Sequence, residues 1–157
     1  MTRENAIREI FSSLEDNDLV ITTTGKISRE AYFIYKEKKY KFGLFPMMGS
    51  MGHALPIGIG VAMATDKDVV VLDGDGAILM QMGAITTYLH YYPINLRHII
   101  LNNNCYDSTG GQPTTFNGYL FPLSEVKDVE KGARDDLGRI PLTPKQIVKN
   151  FYEKSRD

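Results

Sequence analysis

A Gly-Asp-Gly motif and a run of three asparagines carry the residues of this chain that are best suited to metal chemistry. Asp75 stands between Gly74 and Gly76 at the end of one apolar, β-branched segment, and Asn103 follows the next such segment. A carboxylate and an amide oxygen that meet form a hard oxygen set, which suits Mg²⁺, an ion that usually keeps ligand phosphates in its coordination shell. A helix that starts near Gly76 would point free N–H groups at the same place. The pattern therefore predicts a site for Mg²⁺ and a diphosphate.

The strand that leads into this motif also admits a second hypothesis. Asp73 and Asp75 form an Asp-x-Asp pair after a buried strand, which resembles the nucleophile motif of haloacid-dehalogenase-type phosphatases. Asp135 with Asp136 would supply the late acidic pair of that family. Those phosphatases carry threonine or valine where Ala77 stands, and their motif lies near the start of the fold. They also leave the asparagine run unexplained, so the phosphatase is kept only as an alternative.

The segments that must position these residues alternate between strand and helix patterns. Buried strands are predicted at 19–23, 69–72 and 96–101, and helices at 3–14, 28–35, 54–64, 78–88 and from 144 onward. Alternating strands and helices predict an α/β fold in which a parallel sheet is flanked by helices. Ligands bind such sheets beyond the carboxyl ends of the strands. Those ends carry Thr23–Gly25, Gly74–Gly76 and Asn102–Asn104, so we expect these loops to converge on one site.

The stretches between these elements are expected to be loops and caps. Ser28 is the expected N-cap of the second helix, and the charged stretch 36–41 is typical of a surface loop. The glycine-rich stretches 45–53 and 109–117 are predicted to be loops as well.

Composition limits the kind of protein that the chain can be. Its 157 residues are 43% hydrophobic and 24% charged, which suits one packed domain over 1–157. The 18 basic and 19 acidic residues nearly balance, which argues against a nucleic-acid-binding surface. A single cysteine excludes a disulfide scaffold and fits a reducing compartment. No apolar run approaches the ~18 residues of a membrane span, and the first residues do not resemble a signal peptide, so we expect a cytoplasmic protein without a membrane partner.

Several separate blocks of the sequence resemble the thiamine-diphosphate-dependent phosphonopyruvate and sulfopyruvate decarboxylases. The blocks are Thr23–Glu30, Gly49–Ala54, Asp73–Ala77 with Met80 and Met82–Ala84, Tyr106–Thr114 and Arg134–Arg139. The resemblance covers nearly the whole chain and implies the domain of that family that binds the diphosphate of thiamine diphosphate through Mg²⁺. It also implies decarboxylation of an anionic 2-oxo acid. Phosphonopyruvate is the leading substrate hypothesis and sulfopyruvate the alternative, because phosphonate and sulfonate are similar tetrahedral anions.

The resemblance implies roles for individual residues. Asp75 and Asn103 would bind Mg²⁺ through their side chains, and Cys105 would bind it through its carbonyl oxygen. Met51 would wedge the cofactor into a bent shape that brings the aminopyrimidine nitrogen close to the thiazolium C2. Contacts to the cofactor are expected from Gly25, Lys26, Ser50, Met51, Gly74, Asp75, Gly76, Ala77, Asn103 and Asp107.

Polar residues join Met51 as candidates for a part in catalysis. His53 either faces the substrate or holds its loop by hydrogen bonds, and we favour the loop role because most histidines are structural. Gln112 and Thr114 lie in a polar loop after the predicted metal site, which could close over an anionic substrate.

The resemblance also implies that half of the active site lies elsewhere. Enzymes of this family need a glutamate that activates the aminopyrimidine, and it lies on a pyrimidine-binding domain that we do not find in these 157 residues. We therefore expect a separate pyrimidine-domain (alpha) subunit in a heterodimer or larger hetero-oligomer, with this chain inactive alone. The helix 54–64 and the region of Met80 and Met82 are the expected interface. A non-catalytic cofactor-binding subunit stays open as an alternative, although intact Asp75 and Asn103 argue against it.

The segment 116–131 is short for this family, which has an extra helix and strand before its C-terminal part. Either that element is truly shortened or residues are missing from the sequence. A continuous short loop in the structure would favour a true shortening.

Overall fold

The computed structural model describes residues 1–132, 134 and 136–156, which form a central sheet with helices on both faces. In chain order, the elements are α1 (Arg3–Ser12), β1 (Leu19–Thr22), α2 (Lys26–Lys38), β2 (Gly43–Pro46), α3 (Ala54–Ala64), β3 (Val69–Gly74), α4 (Asp75–Ile78), α5 (Gly83–Tyr91), β4 (Leu96–Asn102), β5 (Cys105–Tyr106), β6 (Gln112–Pro113), β7 (Ser124–Asp128) and α6 (Pro144–Arg156). Short 3-10 turns cover Leu79–Gln81, Asp107–Thr109 and Gly118–Leu120. Across this described part of the chain, every helix falls short of the length and hydrophobicity that a membrane span requires.

Five strands form one parallel sheet in the order β2-β1-β3-β4-β7, and β5 pairs with β6 in a small antiparallel ribbon. β1 and β3 are buried along their whole length, as expected of central parallel strands that are covered on both faces. The β-branched run Val69–Val71 suits β3 to this central place. The predicted α/β class, with a parallel sheet flanked by helices, is confirmed.

Neighbouring residues of each central strand enter two separate hydrophobic cores. Val70 packs beneath α1 and α2, whereas Val71 packs beneath α3 and α5. α3 lies so close to the sheet that a Cβ on Gly58 would collide with the Val71 side chain. The two helical layers therefore pack on both faces of β3 and hold its carboxyl end in position.

The structure corrects three local predictions in the first third of the chain. β2 occupies 43–46 at the sheet edge, although a loop is predicted from 45 onward; four residues that end in proline give too little pattern for a strand to be recognised. α2 runs from Lys26 to Lys38, so Ser28 lies inside the first turn instead of at the N-cap, and the first half of the predicted surface loop 36–41 is helical. Gly25 takes the N-cap place with φ +93°, a conformation that glycine adopts without steric cost.

The predicted helix 78–88 is broken in the structure. α4 spans only four residues, and the 3-10 turn Leu79–Gln81 separates it from α5. Gly83, at the start of α5, is a poor helix former, which fits the position of the break. Because α4 has only four residues, it cannot supply the dipole of a full helix at the site. Only the N–H groups of its first turn are available to an anion there.

The segment 116–131 runs continuously through the 3-10 turn Gly118–Leu120 into β7. β7 pairs in parallel with β4, with Val126 opposite Ile100. The strand of the expected helix-and-strand element is therefore present as β7, and a 3-10 turn precedes it where that element has a helix. Phe121 is buried there in the core and stacks on Phe116. The segment thus follows a continuous path that contains a turn and a strand.

Candidate functional site

The predicted metal ligands meet where β3 and β4 end. Gly74 on β3 pairs with Leu101 on β4, so Asp75 and Asn103 leave the sheet next to each other at its carboxyl edge. A cavity lies at this edge. Among its lining residues are the predicted site residues Lys26, Met51, Gly74, Asp75, Gly76, Ala77, Asn103, Cys105 and Asp107. The predicted convergence of the strand-end loops is therefore present in the structure.

Four predicted residues, Gly25, Ser50, His53 and Gln112, are not part of this lining. His53 is exposed, and its Nδ1 lies 3.3 Å from the carbonyl oxygen of Met51, which agrees with the favoured loop role. Gln112 is exposed in β6, and its amide donates to a backbone carbonyl of its own loop at 2.8 Å. The roles of these four residues toward cofactor or substrate stay predictions.

Asp75 is a buried carboxylate with hydrogen-bond donors around it. The residue is 3% exposed, and the Thr114 hydroxyl donates to Oδ2 at 2.7 Å. Burial raises the pKa of Asp75, while the Thr114 hydroxyl and the N–H groups of Gly76 and Asn103 oppose that rise. A carboxylate that has lost much of its water gains free energy from a cation placed beside it. Asp75 is therefore suited to hold a metal ion.

The three asparagines of the run have three different environments. Asn102 donates through Nδ2 to Asp128 of β7 at 2.8 Å and so ties the loop to the sheet edge. Asn103 donates through Nδ2 to Asp107 at 2.7 Å. Asn104 adopts φ +58°, in the left-handed region that asparagine tolerates better than most residues. The run thus turns the chain sharply, and of the three side chains only that of Asn103 belongs to the cavity lining.

The thiol of Cys105 is occupied within its own loop. Sγ donates to Asp107 Oδ1 at 3.1 Å, and burial raises the pKa of the thiol. A neutral thiol is a poor ligand for Mg²⁺, which takes oxygen ligands. Any contact of Cys105 with such an ion is therefore left to its carbonyl oxygen, the atom that the resemblance assigns.

The loop that carries Met51 is fixed between two other parts of the site. The Gly49 N–H donates to Thr24 Oγ1 at 2.8 Å, which joins the loop to the end of β1. A Cβ on Gly52, where φ is +89°, would lie 2.9 Å from Met80 Cβ, so the loop packs directly on the chain after α4. Between these fixed points the Met51 side chain remains 40% exposed, where a ligand or a partner can reach it.

The donor set at the cavity fits Mg²⁺ and a phosphate group. Its predicted ligands are oxygen atoms, the type that Mg²⁺ prefers, and no cluster of three or more His, Cys, Asp or Glu side chains suited to a metal occurs among the described residues. Thr23 also lines the cavity, and its buried Oγ1 has no hydrogen-bond partner within the protein. A buried hydroxyl without a partner costs free energy unless a ligand or water satisfies it.

Several residues of the lining are absent from the predicted set of site residues, and Arg3 and Tyr106 are two of them. Tyr106 packs on Gly76 so closely that a Cβ there would lie 2.6 Å from its ring. Its place directly after Cys105 is the signal that could have identified it. Arg3 lies on α1, far along the chain from every motif, and nothing in the sequence marks a lone arginine as part of this site.

Asp73 lies outside this cavity lining. The side chain is fully buried, its Oδ1 accepts the Gly74 N–H at 2.9 Å, and its Oδ2 lies 3.7 Å from His98 Nε2. A phosphatase nucleophile has to reach its substrate, so this burial argues against the Asp-x-Asp alternative. Asp135, from the late acidic pair of that alternative, lies outside the described residues.

One family model matches most of the chain. The family is described as "Thiamine pyrophosphate enzyme, C-terminal TPP binding domain", and the match covers residues 23–134. The matched segment begins at the carboxyl end of β1 and extends beyond β7, so it includes Asp75 and Asn103.

Known proteins of similar sequence are decarboxylases. A phosphonopyruvate decarboxylase from Streptomyces viridochromogenes is 32% identical over 183 aligned positions, which cover 96% of this chain and 45% of that protein. One from Streptomyces hygroscopicus is 43% identical over 77% of this chain and 29% of its own length. The sulfopyruvate decarboxylase subunit beta from Methanothermobacter thermautotrophicus is 45% identical over 73% of this chain and 59% of its own length.

These alignments cover only part of each relative. The chain spans less than two thirds of the length of each of the three proteins. The first alignment has 183 positions against the 157 residues of this chain, so that relative has residues without a counterpart here.

Proposed function

The chain belongs to the thiamine pyrophosphate enzyme family, and we propose that it is the diphosphate-binding subunit of a thiamine-diphosphate-dependent 2-oxo acid decarboxylase. The observation that carries the proposal is the meeting of Asp75 and Asn103 beside one cavity at the carboxyl edge of the sheet. The names of the similar proteins, all of them decarboxylases, support the reaction class. Decarboxylation of an anionic 2-oxo acid is therefore the activity to test.

Phosphonopyruvate is the substrate that we place first, with phosphonoacetaldehyde and carbon dioxide as products. The relative whose alignment covers 96% of this chain is a phosphonopyruvate decarboxylase, which supports this choice. Sulfopyruvate is the second candidate, because the subunit named for that substrate is the one with 45% identity. Both substrates carry a tetrahedral anion next to a 2-oxo acid.

Different residues of the cavity would hold the metal ion and the diphosphate of the cofactor. Asp75 and Asn103, together with the Cys105 carbonyl, would bind Mg²⁺, while the backbone at Gly76 and Ala77 would face the diphosphate. Bound thiamine diphosphate supplies a nucleophilic carbon and an electron sink for decarboxylation. Lys26, with Gly25 and Ser50 nearby in their loops, would complete the predicted cofactor contacts.

Three further residues have proposed roles on the substrate side. Met51 presents a partly exposed apolar side chain from a loop fixed at both ends, which suits the proposed wedge beneath the cofactor. His53 would hold that loop through Met51 O. Gln112 would approach an anionic substrate from the ribbon β5–β6. Together these side chains would limit the access of water to the reacting centre.

A partner that supplies the pyrimidine side of the site and its activating glutamate is part of the proposal. Its support is the name "subunit beta" that the sulfopyruvate relative carries. Met80 and Met82, which follow α4 next to the Met51 loop, are exposed, as is Met63 at the far end of α3. Exposed apolar side chains near a site, such as Met80 and Met82, are typical of an interface. A heterodimer or a larger hetero-oligomer would result. The free Cys105 thiol agrees with a reducing compartment, so we place the complex in the cytoplasm.

The experiment is co-expression of the chain with the product of the adjacent gene, followed by assay of aldehyde formation from phosphonopyruvate and from sulfopyruvate. We expect turnover only when both subunits, thiamine diphosphate and Mg²⁺ are present, with a higher kcat/KM for phosphonopyruvate. Preference for sulfopyruvate would favour the second candidate. Turnover by this chain alone would overturn the shared-site proposal, and cofactor binding without turnover of either acid would favour the non-catalytic alternative.

A further inference from the structure

We infer that Arg3 and Asp107 are positioning residues that hold the Asn103 amide with its oxygen, and not its nitrogen, available to the metal ion. The inference rests on the proposed function, because it concerns the same magnesium site. It gives Asp107 a different role from the expected cofactor contact, and it adds a residue of α1 to the machinery of the site.

Two independent contacts fix the orientation of the Asn103 amide. Nδ2 donates to Asp107 Oδ2 at 2.7 Å, and Oδ1 accepts the Cys105 N–H at 3.1 Å. With the amide reversed, its oxygen would face a carboxylate oxygen and its NH₂ would face an N–H, so both contacts would become repulsive. An amide oxygen has two lone pairs, and the Cys105 N–H uses one of them. The other can serve a cation.

Arg3 holds Asp107 in the position that this orientation needs. Arg3 is only 6% exposed, and its Nη1 donates to Asp107 Oδ2 at 3.1 Å. On its other side, Nε and Nη2 donate to the two carboxylate oxygens of Glu30 at 3.0 and 2.8 Å. A guanidinium held in this bidentate way has little freedom to move. Glu30, Arg3, Asp107 and Asn103 therefore form one chain of hydrogen bonds from α2 and α1 to the metal loop.

Two further hydrogen-bond donors of the protein contact the Asp107 carboxylate. Its Oδ1 accepts from Cys105 Sγ at 3.1 Å and from the Gly132 N–H at 3.4 Å. Both carboxylate oxygens are thus engaged within the protein, and a carboxylate that faced a diphosphate would repel it. Asp107 is consequently better placed to orient Asn103 than to touch the cofactor. In metal sites, partners of this kind that orient a ligand typically change metal affinity about 10–100-fold when they are removed.

The test uses the complex with its partner subunit at saturating thiamine diphosphate. It measures the Mg²⁺ concentration that gives half of the maximal decarboxylation rate, and, separately, half of the cofactor-binding signal in circular dichroism. Asp107→Leu removes the acceptor for Asn103 and should raise both Mg²⁺ concentrations about 10–100-fold, with kcat recovered at saturating Mg²⁺. Arg3→Met keeps the Asp107 carboxylate but removes the guanidinium that holds it, so a smaller rise in the two Mg²⁺ concentrations is expected. Asp107→Asn keeps one oxygen that can accept from Asn103, so it should also shift less than Asp107→Leu.

Two control variants in α1 separate positioning from general stability. Ile7→Ala shortens a fully buried side chain of the same helix and should lower the melting temperature without moving the Mg²⁺ dependence. Arg8→Met removes an arginine that pairs with Glu4 and Glu37 on the surface. It should change neither the melting temperature nor the Mg²⁺ dependence. If Asp107→Leu does not fold, Arg3→Met and Asp107→Asn still decide the matter.

The outcomes separate this inference from the proposed function. Wild-type complex that fails to bind thiamine diphosphate in the presence of Mg²⁺ would overturn both. Wild-type complex that binds it, while Arg3→Met and the Asp107 variants keep the wild-type Mg²⁺ dependence, would overturn the positioning role alone. Shifts in these variants no larger than the shift in Ile7→Ala would also overturn it, because loss of stability would then explain them.

Discussion

Asp75→Ala should abolish magnesium-dependent binding of thiamine diphosphate and, with it, decarboxylation by the complex. Asp75 is the carboxylate of the predicted ligand set. It is buried beside Asn103, and one of its oxygens accepts a hydrogen bond from the Thr114 hydroxyl. A change to an outer hydrogen-bond partner of a metal ligand costs about 10–100-fold in affinity, so loss of the ligand itself should cost more than ~100-fold. Isothermal titration of thiamine diphosphate into the complex, with and without Mg²⁺, measures the effect.

The matched control for this prediction is Asp66→Ala. Asp66 is an exposed aspartate just before β3, at the opposite edge of the sheet, so its removal should leave cofactor binding and activity unchanged. Asp75→Ala protein that still binds the cofactor with the wild-type dependence on Mg²⁺ would show that the metal site is wrongly assigned.

Gly76→Ala should disturb the same site by a steric route. A Cβ on Gly76 would lie 2.6 Å from Cε1 and 2.7 Å from Cδ1 of Tyr106. The rigid ring would have to move, and it would carry Cys105 and Asp107 with it because they flank it along the chain. Overpacking of this kind costs about 1–3 kcal/mol of stability. We expect a lower melting temperature. The Mg²⁺ concentration required for activity should rise by ~10-fold or more, which is the smallest effect typical of disturbing the groups that orient a metal ligand.

Gly83→Ala is the control for this substitution. Gly83 lies in the next helix, where the nearest atom to an added Cβ is Gln81 Oε1 at 3.8 Å, so alanine fits and should slightly favour the helix. Melting curves and Mg²⁺ titrations of the two variants, run in parallel, give the comparison. Equal behaviour of Gly76→Ala and Gly83→Ala would contradict the claim that the contact between Gly76 and Tyr106 holds the metal loop in place.

The main features of the fold and of the metal pair could be predicted because strong local patterns specify them. The run Val69–Val71 marks a central strand, and Gly74 and Asp75 directly after it place a carboxylate at the carboxyl edge of the sheet. The Asn run ends the next strand, so a parallel sheet brings Asn103 to the same edge. These inferences need only the direction of the strands and the order of the motifs.

Other features depend on contacts between distant segments and leave little trace in the sequence. β2 is a four-residue edge strand whose pairing with β1 decides its conformation. The break between α4 and α5 lies where the chain packs on the Met51 loop, since a Cβ on Gly52 would meet Met80 and Gln81 there. Arg3 joins the site only because α1 packs beside α2 and the metal loop, which brings it to Glu30 and Asp107.

Mg²⁺ and a diphosphate should bind where β3 and β4 end, and paramagnetic NMR can locate this site directly. Mn²⁺ with thiamine diphosphate is titrated into isotope-labelled protein, and paramagnetic broadening of the backbone amide signals locates the ion. We expect early broadening at residues 74–77 and 103–105, with residues 65–68 at the opposite edge of the sheet unaffected. Broadening that is confined to other parts of the chain, or equal at both edges, would contradict this expectation.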